Sequence, residues 1–204
     1  MSVNLALFQI VNAGPGAHPA TIFAAEAAAT GLVPVATLIG LLLWIRGDHR
    51  RRGILLAAAL ATALALLLNQ VAGMLWFEPR PFMIGVGRTL LSHAPDNSFP
   101  SDHVSFLLSM GFVMLATEAM RRWGLLVLGL GALTAWARVY LGVHFPIDIL
   151  GSAVIAAAAS ITALSLQPLL VKRPLGLIEH LYRGTLDILR LPPRLFPRDS
   201  ARPD

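Results

Sequence analysis

Three short polar clusters interrupt an otherwise apolar chain, and their side chains suit phosphate chemistry. The first is Arg80-Pro81 and the second is Pro100-Ser101-Asp102-His103. The third is Arg138, then His144 six residues on, then Asp148 four residues after that. A guanidinium fork binds phosphate oxygens bidentately, so two arginines can hold a phosphoryl group and offset the charge that develops on it. His144 and Asp148, spaced i and i+4, share one helical face. The carboxylate can accept the imidazole Nδ1–H there and leave Nε2 as a lone-pair nucleophile or base. His103 enters from the start of another helix, where Ser101 and free backbone N–H groups make an anion site.

Each cluster also has a plainer reading. The arginines could be snorkelling anchors, His144 with Asp148 a helix-capping pair, and Ser101 an N-cap. Ionisable groups are expensive near a bilayer, and their convergence on one plane of helix ends favours a site. His103, His144 and Asp148 could alternatively hold a divalent cation as two histidines and a carboxylate. Two nearby arginines oppose a cation electrostatically and no second carboxylate cluster is at hand, so no metal is expected. Glu26 and the Asn69-Gln70 pair lie towards the same helix ends, where they line a headgroup pocket or bond between helices.

Long apolar helices must position these groups. Of 204 residues, 56% are hydrophobic and only 13% charged, and the mean hydropathy is +0.69. Soluble domains carry about 25% charge, so a membrane protein is expected. Without cysteine, disulfides and thiolate metal sites are excluded. The sequence pI near 11.0 fits topology determinants better than a nucleic-acid footprint, because the basic residues flank apolar stretches. Five stretches approach or exceed the ~20 residues of a spanning helix: 24–45, 53–77, 104–120, 123–142 and 145–171. Closely spaced small residues (Ala57, Ala61 and Ala65; Ser152, Ala156 and Ser160) suit tight helix packing in lipid. Residues 3–11 are too short to span and predict an interfacial helix rather than a signal peptide. Leu175, Ile178, Leu181, Tyr182, Ile188 and Leu189 recur at helical spacing among charges, which predicts an amphipathic surface helix stopped at Pro192-Pro193. The fold class is therefore all-α, a polytopic membrane bundle of about five transmembrane helices with an N-terminal interfacial helix and a C-terminal amphipathic helix. Residues 1–173 form the transmembrane domain and 174–204 a cytoplasmic helix and tail.

Basic residues set the orientation. Four arginines lie at 46–52, two at 121–122, and seven lysines and arginines follow residue 171, together 13 of the 16. The positive-inside rule places them in the cytoplasm. Only Arg80, Arg88 and Arg138 remain for the outer face, in or beside the polar clusters.

Arg80-Pro81, Pro-Ser-x-His at 100–103 and Arg138-x5-His144-x3-Asp148 resemble the three-part signature of the type 2 phosphatidic acid phosphatase superfamily, over roughly residues 69 to 152. The resemblance implies that His144 is the nucleophile, oriented by Asp148, and that His103 is the general acid. Arg80, Ser101 and Arg138 match its phosphate binders. Its first motif opens with a lysine where this chain has Gly73, so Arg88, His93 or Asn97 is expected to supply that contact. Asp102 and Ala137 stand where the family has glycine and serine; Asp102, Asn97 and Arg88 are grouped with the phosphate binders, and Glu26 and Gln70 with the pocket. The stretches 76–82 and 94–103 look most like the bacitracin-resistance type of undecaprenyl-diphosphatase. The resemblance thus implies cofactor-free hydrolysis of a polyprenyl diphosphate on the outer face of a bacterial inner membrane, through a phosphohistidine. The expected partners are that lipid substrate and membrane lipids, with a homo-oligomer left open and nucleic acid excluded. A broader lipid phosphatase acting on phosphatidic acid or phosphatidylglycerol phosphate is the alternative within enzymes. A non-catalytic transporter fits less well, since the midplane runs of the second, third and fifth spans are dominated by small and aliphatic residues.

Overall fold

The computed structural model describes residues 3–172 and 174–190, with Pro192 and Phe196. Arg173, Pro193, Arg194, Arg198 and Arg202, which entered the topology and helix-stop expectations, lie outside the described residues. The elements in chain order are α1 (Val3–Val11), α2 (Pro19–Arg46), α3 (His49–Leu75), α4 (Asp102–Leu115), α5 (Arg121–Tyr140), α6 (Pro146–Lys172) and α7 (Pro174–Ile188), and the described residues contain no strand. Among the described residues, four helices, those carrying α2, α3, α5 and α6, are long and apolar enough to cross a membrane.

The third expected span differs. It is the 14-residue α4, about 21 Å at 1.5 Å per residue against a hydrocarbon core of about 30 Å. The apolar run continues to Met120, but the helix ends at Leu115 because the chain must turn tightly into α5. A Cβ on Gly124 would lie 2.3 Å from the backbone nitrogen of Leu115, so this corner closes only on glycine. α4 packs on α3, α5 and α6.

Small side chains let the helices approach. Ala57, Ala61, Ala65, Ser152, Ala156 and Ser160 are all buried, as their spacing predicts. The Ser160 hydroxyl donates to the carbonyl of Ser109 on α4 at 3.1 Å, joining α6 to α4. With no hydrophobic effect between helices in lipid, such close packing and interhelical hydrogen bonds supply much of the cohesion.

The two ends of the bundle differ in chemistry. At one end, Arg52 is buried, although its sequence position suggested a solvated topology determinant. It pairs with Glu179 of α7 at 3.3 Å, donates from Nε to Trp44 O at 3.1 Å and lies over the Trp44 and Tyr182 rings. α7 is thus pinned to the bundle, burying Leu175 and Leu186 and leaving Leu181, Ile188 and Leu189 exposed. At the other end, α1 is anchored rather than merely surface-bound. Phe8 is fully buried and packs on Phe145 with ring centroids 5.1 Å apart. The amide of Asn12 donates to Arg88 O at 2.9 Å and Tyr140 O at 3.0 Å.

The turn from α5 to α6 carries His144 and depends on Gly142. Its φ is +77°, and a Cβ there would meet Arg88 O at 2.3 Å. Left-handed backbone costs a non-glycine residue about 1–2 kcal/mol, and the carbonyl contact adds to it. Gly142→Ala should therefore lower the thermal unfolding midpoint of the detergent-purified protein and reduce its activity. An unchanged midpoint would mean that this turn is not under the constraint described.

Candidate active site

A loop over residues 76–101 folds across the ends of α3 and α6. Pro79 and Pro81 fix the backbone around Arg80, Pro81 opens a short 3-10 turn (Pro81–Ile84), and Gly85 ends it at φ +66°. The loop is knit internally: Ser98 N donates to Glu78 O at 2.8 Å, and Glu78 N donates to the Asn97 side-chain oxygen at 2.7 Å. A Cβ on Gly151 of α6 would lie 2.2 Å from the Phe99 ring, so the loop seats directly against that helix.

Beneath the loop lies a cavity of about 220 Å³ whose walls include Arg80, His93, Asp102, His103, Arg138 and His144. The three separate sequence clusters therefore meet in one space. His144 is buried in the turn before α6 and both its ring nitrogens are engaged. Nδ1 is 3.3 Å from Asp148 Oδ2, and Nε2 is 3.2 Å from Arg80 Nη1. A guanidinium can only donate, so Nε2 is the acceptor and Nδ1 carries the proton that faces the carboxylate. This tautomer leaves the Nε2 lone pair on the cavity side. Burial pushes His144 down to about 4, with Arg138 and Arg80 adding to it against the opposing Asp148 hydrogen bond. The ring is accordingly neutral near pH 7.

Asp148 is held as firmly as the histidine it holds. Its Oδ2 also accepts from the backbone N–H of Phe145 at 2.8 Å and from the hydroxyl of Ser98. Ser98 Oγ lies 3.4 Å from His144 Nδ1 as well, so it braces both groups.

Arg80 spends most of its donors on the protein. Nε donates to Asp96 at 2.8 Å, Nη1 to Val143 O at 2.8 Å and Nη2 to Asn97 O at 3.0 Å. It ties the loop to the His144 turn and keeps one side towards the cavity. Partial burial works to raise the Asp96 carboxyl, but the Arg80 hydrogen bond and charge hold it below the usual range. Arg138 is buried in α5. Its Nη1 donates to Ala29 O at 3.1 Å, while Nε has no protein partner. Ser101 precedes α4, but its hydroxyl makes no cap bond and is buried without a partner. Its backbone N–H donates to Ser152 Oγ at 2.8 Å, which fixes the start of α4 against α6. Arg138 lines the cavity, so its unpaired guanidinium N–H is what an anionic ligand there would satisfy, whereas Ser101 lies just behind the wall formed by Pro100 and Asp102.

Other expected residues take different places. Arg88 lies outside the cavity: its guanidinium donates to Gly14 O at 3.0 Å, and its role is to anchor the loop to α1. Glu26, half-buried on α2, does not line the cavity either, whereas Gln70 does. Asn97 lines the wall, but its amide is committed to Trp76 O at 3.3 Å and Phe99 O at 2.6 Å. Asp102 accepts from Asn69 at 2.8 Å; an ionised carboxylate has no proton to offer a phosphate. Among the described residues, no three His, Asp or Glu side chains gather closely enough to hold a metal ion; Asp148 Oδ2 is taken up by His144, Phe145 N and Ser98.

Sequence reasoning passed over Ser98, Asp96 and the anchoring role of Ser152. Ser152 lies one helical turn after Asp148, a spacing that could have marked it. Ser98 and Asp96 reach their partners only through the fold of the loop, which carries no periodic signal.

The arrangement brings together the buried His144 imidazole, a carboxylate that fixes its tautomer, two arginines and two further imidazoles, His93 and His103. The PAP2 superfamily family model matches residues 54–171. YbjG of Escherichia coli (strain K12) is 38% identical over 151 residues, 74% of this chain and 75% of its own length. The undecaprenyl-diphosphatase BcrC of Bacillus subtilis (strain 168) is 39% identical over 119 residues, 58% of this chain and 61% of its own. The crystal structure of Aquifex aeolicus LpxE shares the fold, with a TM-score of 0.66 at 22% identity, covering 81% of this chain and 96% of that one. With motifs, helix arrangement and these likenesses in accord, the chain belongs to the PAP2 superfamily.

Proposed function

We propose that this chain is a multi-pass membrane phosphatase that converts undecaprenyl diphosphate to undecaprenyl phosphate and inorganic phosphate. The observation that carries the chemistry is the His144 tautomer, with Nδ1–H towards Asp148 and the Nε2 lone pair towards Arg80 and the cavity. The name and 39% identity of the Bacillus subtilis relative support the choice of lipid.

Nε2 attacks the terminal phosphorus, and the bond from that phosphorus to the bridging oxygen breaks. His103, which takes up a proton as the anionic diphosphate enters beside it, gives that proton to the departing lipid phosphate. Arg80 turns from Nε2 to the phosphoryl oxygens, joined by Arg138 Nε, which has no other partner to leave. Asp148 stabilises the positive charge that forms on the His144 ring. His103, now neutral, takes a proton from water, the resulting hydroxide attacks the phosphohistidine, and the P–N bond breaks to return the lone pair to Nε2. The site faces the outside of a bacterial cell membrane, where the reaction recycles the cell-wall lipid carrier and gives bacitracin resistance.

The decisive assay sets purified protein in detergent with EDTA against undecaprenyl diphosphate, phosphatidic acid and phosphatidylglycerol phosphate. Preferential turnover of the diphosphate is expected, and preference for a phosphoglyceride would replace this reading with the broader lipid phosphatase. Arg138→Lys keeps the charge but loses the planar fork, so activity should fall about tenfold or more while insertion is preserved. Turnover near the wild-type rate would reduce Arg138 to an interface anchor. For orientation, a cysteine at Gly85 should react with an impermeant thiol reagent in intact spheroplasts and one at Asp48 should not; the reverse pattern would turn the site inward.

A further inference from the structure

The cavity has few donors left for a second phosphate once the transferred one is held. Among the described residues, Arg80 and Arg138 are the arginines that line it, and they share its walls with the carboxylates Asp96 and Asp102. A diphosphate therefore enters a space whose fixed charges nearly cancel, with Arg80 and Arg138 drawn to the phosphoryl group next to His144. Of the groups placed to meet the other phosphate, the Asn97 amide is committed to Trp76 O and Phe99 O. It also fills the space beside Gly73, where a Cβ would meet its nitrogen at 2.9 Å. Arg88 is turned away to Gly14.

Apart from His103, the proposed acid, the neutral amide of Gln70 and the imidazole of His93 remain on the walls, and of these two His93 can carry a charge. His93 projects from the covering loop into the cavity, and its ring stands 6.4 Å from that of His144 at an interplanar angle of 75°. Its Nδ1 lies 3.2 Å from Ala94 O and 3.5 Å from Asp96 Oδ1. Both partners can only accept, so Nδ1 carries a proton and Nε2 is the free position. The ring is thus fixed by its loop, as His144 is fixed by Asp148, and it lies too far from His144 for the two rings to bond one another.

We infer that His93 is a substrate-binding residue that holds the phosphate next to the prenyl chain, as an imidazolium donating from Nε2, and so selects diphosphate over monophosphate lipids. Burial lowers the His93 pKa in the free protein, with Arg80 and Arg138 adding to it against the Ala94 hydrogen bond and Asp96. A second phosphate beside the ring reverses that balance, so binding draws in a proton and strengthens as pH falls. The groups that bear on it are Arg80 and Asp96 from the loop, Asp102 and His103 from α4, Arg138 from α5, and His144.

This deepens the proposed function and rests on its assignment of a diphosphate substrate. The test compares wild type, His93→Ala and His93→Lys on farnesyl diphosphate and farnesyl monophosphate in detergent. A lost charge-assisted hydrogen bond is worth about tenfold or more. KM for the diphosphate should rise by about that factor in His93→Ala, with kcat and the monophosphate KM little changed, and His93→Lys should restore it. Between about pH 8 and pH 6 the diphosphate KM should fall in wild type more than in His93→Lys, which is already charged. Equal losses on both substrates, a fall confined to kcat, or no rescue by lysine would overturn the inference. A second arm measures inhibition by methylenediphosphonate and methylphosphonate with whichever lipid phosphate wild type turns over. Should wild type prefer a phosphoglyceride, the proposed lipid fails alone, and selective loss of methylenediphosphonate inhibition in His93→Ala still decides the role of His93. Equal inhibition by both phosphonates in wild type and variant would overturn it there too.

Discussion

The carboxylate oxygen Oδ2 of Asp148 is where the active end of the bundle is tied together. It accepts from His144 Nδ1, from Phe145 N and from the hydroxyl of Ser98, and so joins α6, the turn from α5 and the covering loop at one atom. A buried carboxylate is tolerable only with such donors around it. Each donor also has a consequence for chemistry. Phe145 N fixes the approach of the turn, Ser98 braces the loop, and His144 is left with a single tautomer whose Nε2 lone pair faces Arg80 on the cavity side. Were the carboxylate lost, the imidazole could rotate or exchange its proton between nitrogens, and the lone pair would no longer be committed to one direction.

Arg80 and Arg138 are the second constraint. A guanidinium among apolar helices needs acceptors, and this fold provides carbonyls: Val143 and Asn97 for Arg80, Ala29 for Arg138. These carbonyl bonds position the forks without neutralising them, and the ion pair of Arg80 Nε with Asp96 offsets part of the charge of that fork. The start of α4 serves the same end, because it brings His103 to the cavity wall beside both arginines. The Ser101 N–H on Ser152 Oγ and the buried small-residue stripes hold that helix start against α6.

Much of this was legible in the sequence because it rests on periodicity and on the high cost of charge in lipid. The spacing of His144 and Asp148, the small-residue stripes and the four long apolar runs each follow from helix geometry alone. α4 was less legible: its apolar run outlasts the helix, and only the contact of Gly124 with the Leu115 backbone reveals the corner. Arg88 shows the limit of charge reasoning. An arginine left on the active side looks like a phosphate ligand until the fold shows its guanidinium on Gly14 and its backbone on Asn12. Arg52 shows the same limit at the other end, where a residue counted towards topology is buried against Glu179. Ser98 and Asp96 were hidden for a different reason, since loop contacts over such distances leave no pattern in the chain.

Whether His144 Nε2 forms a bond to phosphorus is the claim on which the mechanism turns. The most direct measurement is to mix the protein with lipid diphosphate labelled in its terminal phosphate, quench rapidly under alkaline denaturing conditions, and look for label on the protein. The wild type should yield an acid-labile, alkali-stable phosphoprotein with the label on His144, and His144→Ala should yield none. Full turnover with no trappable phosphoprotein, together with activity abolished by EDTA and restored by a divalent metal, would contradict the account.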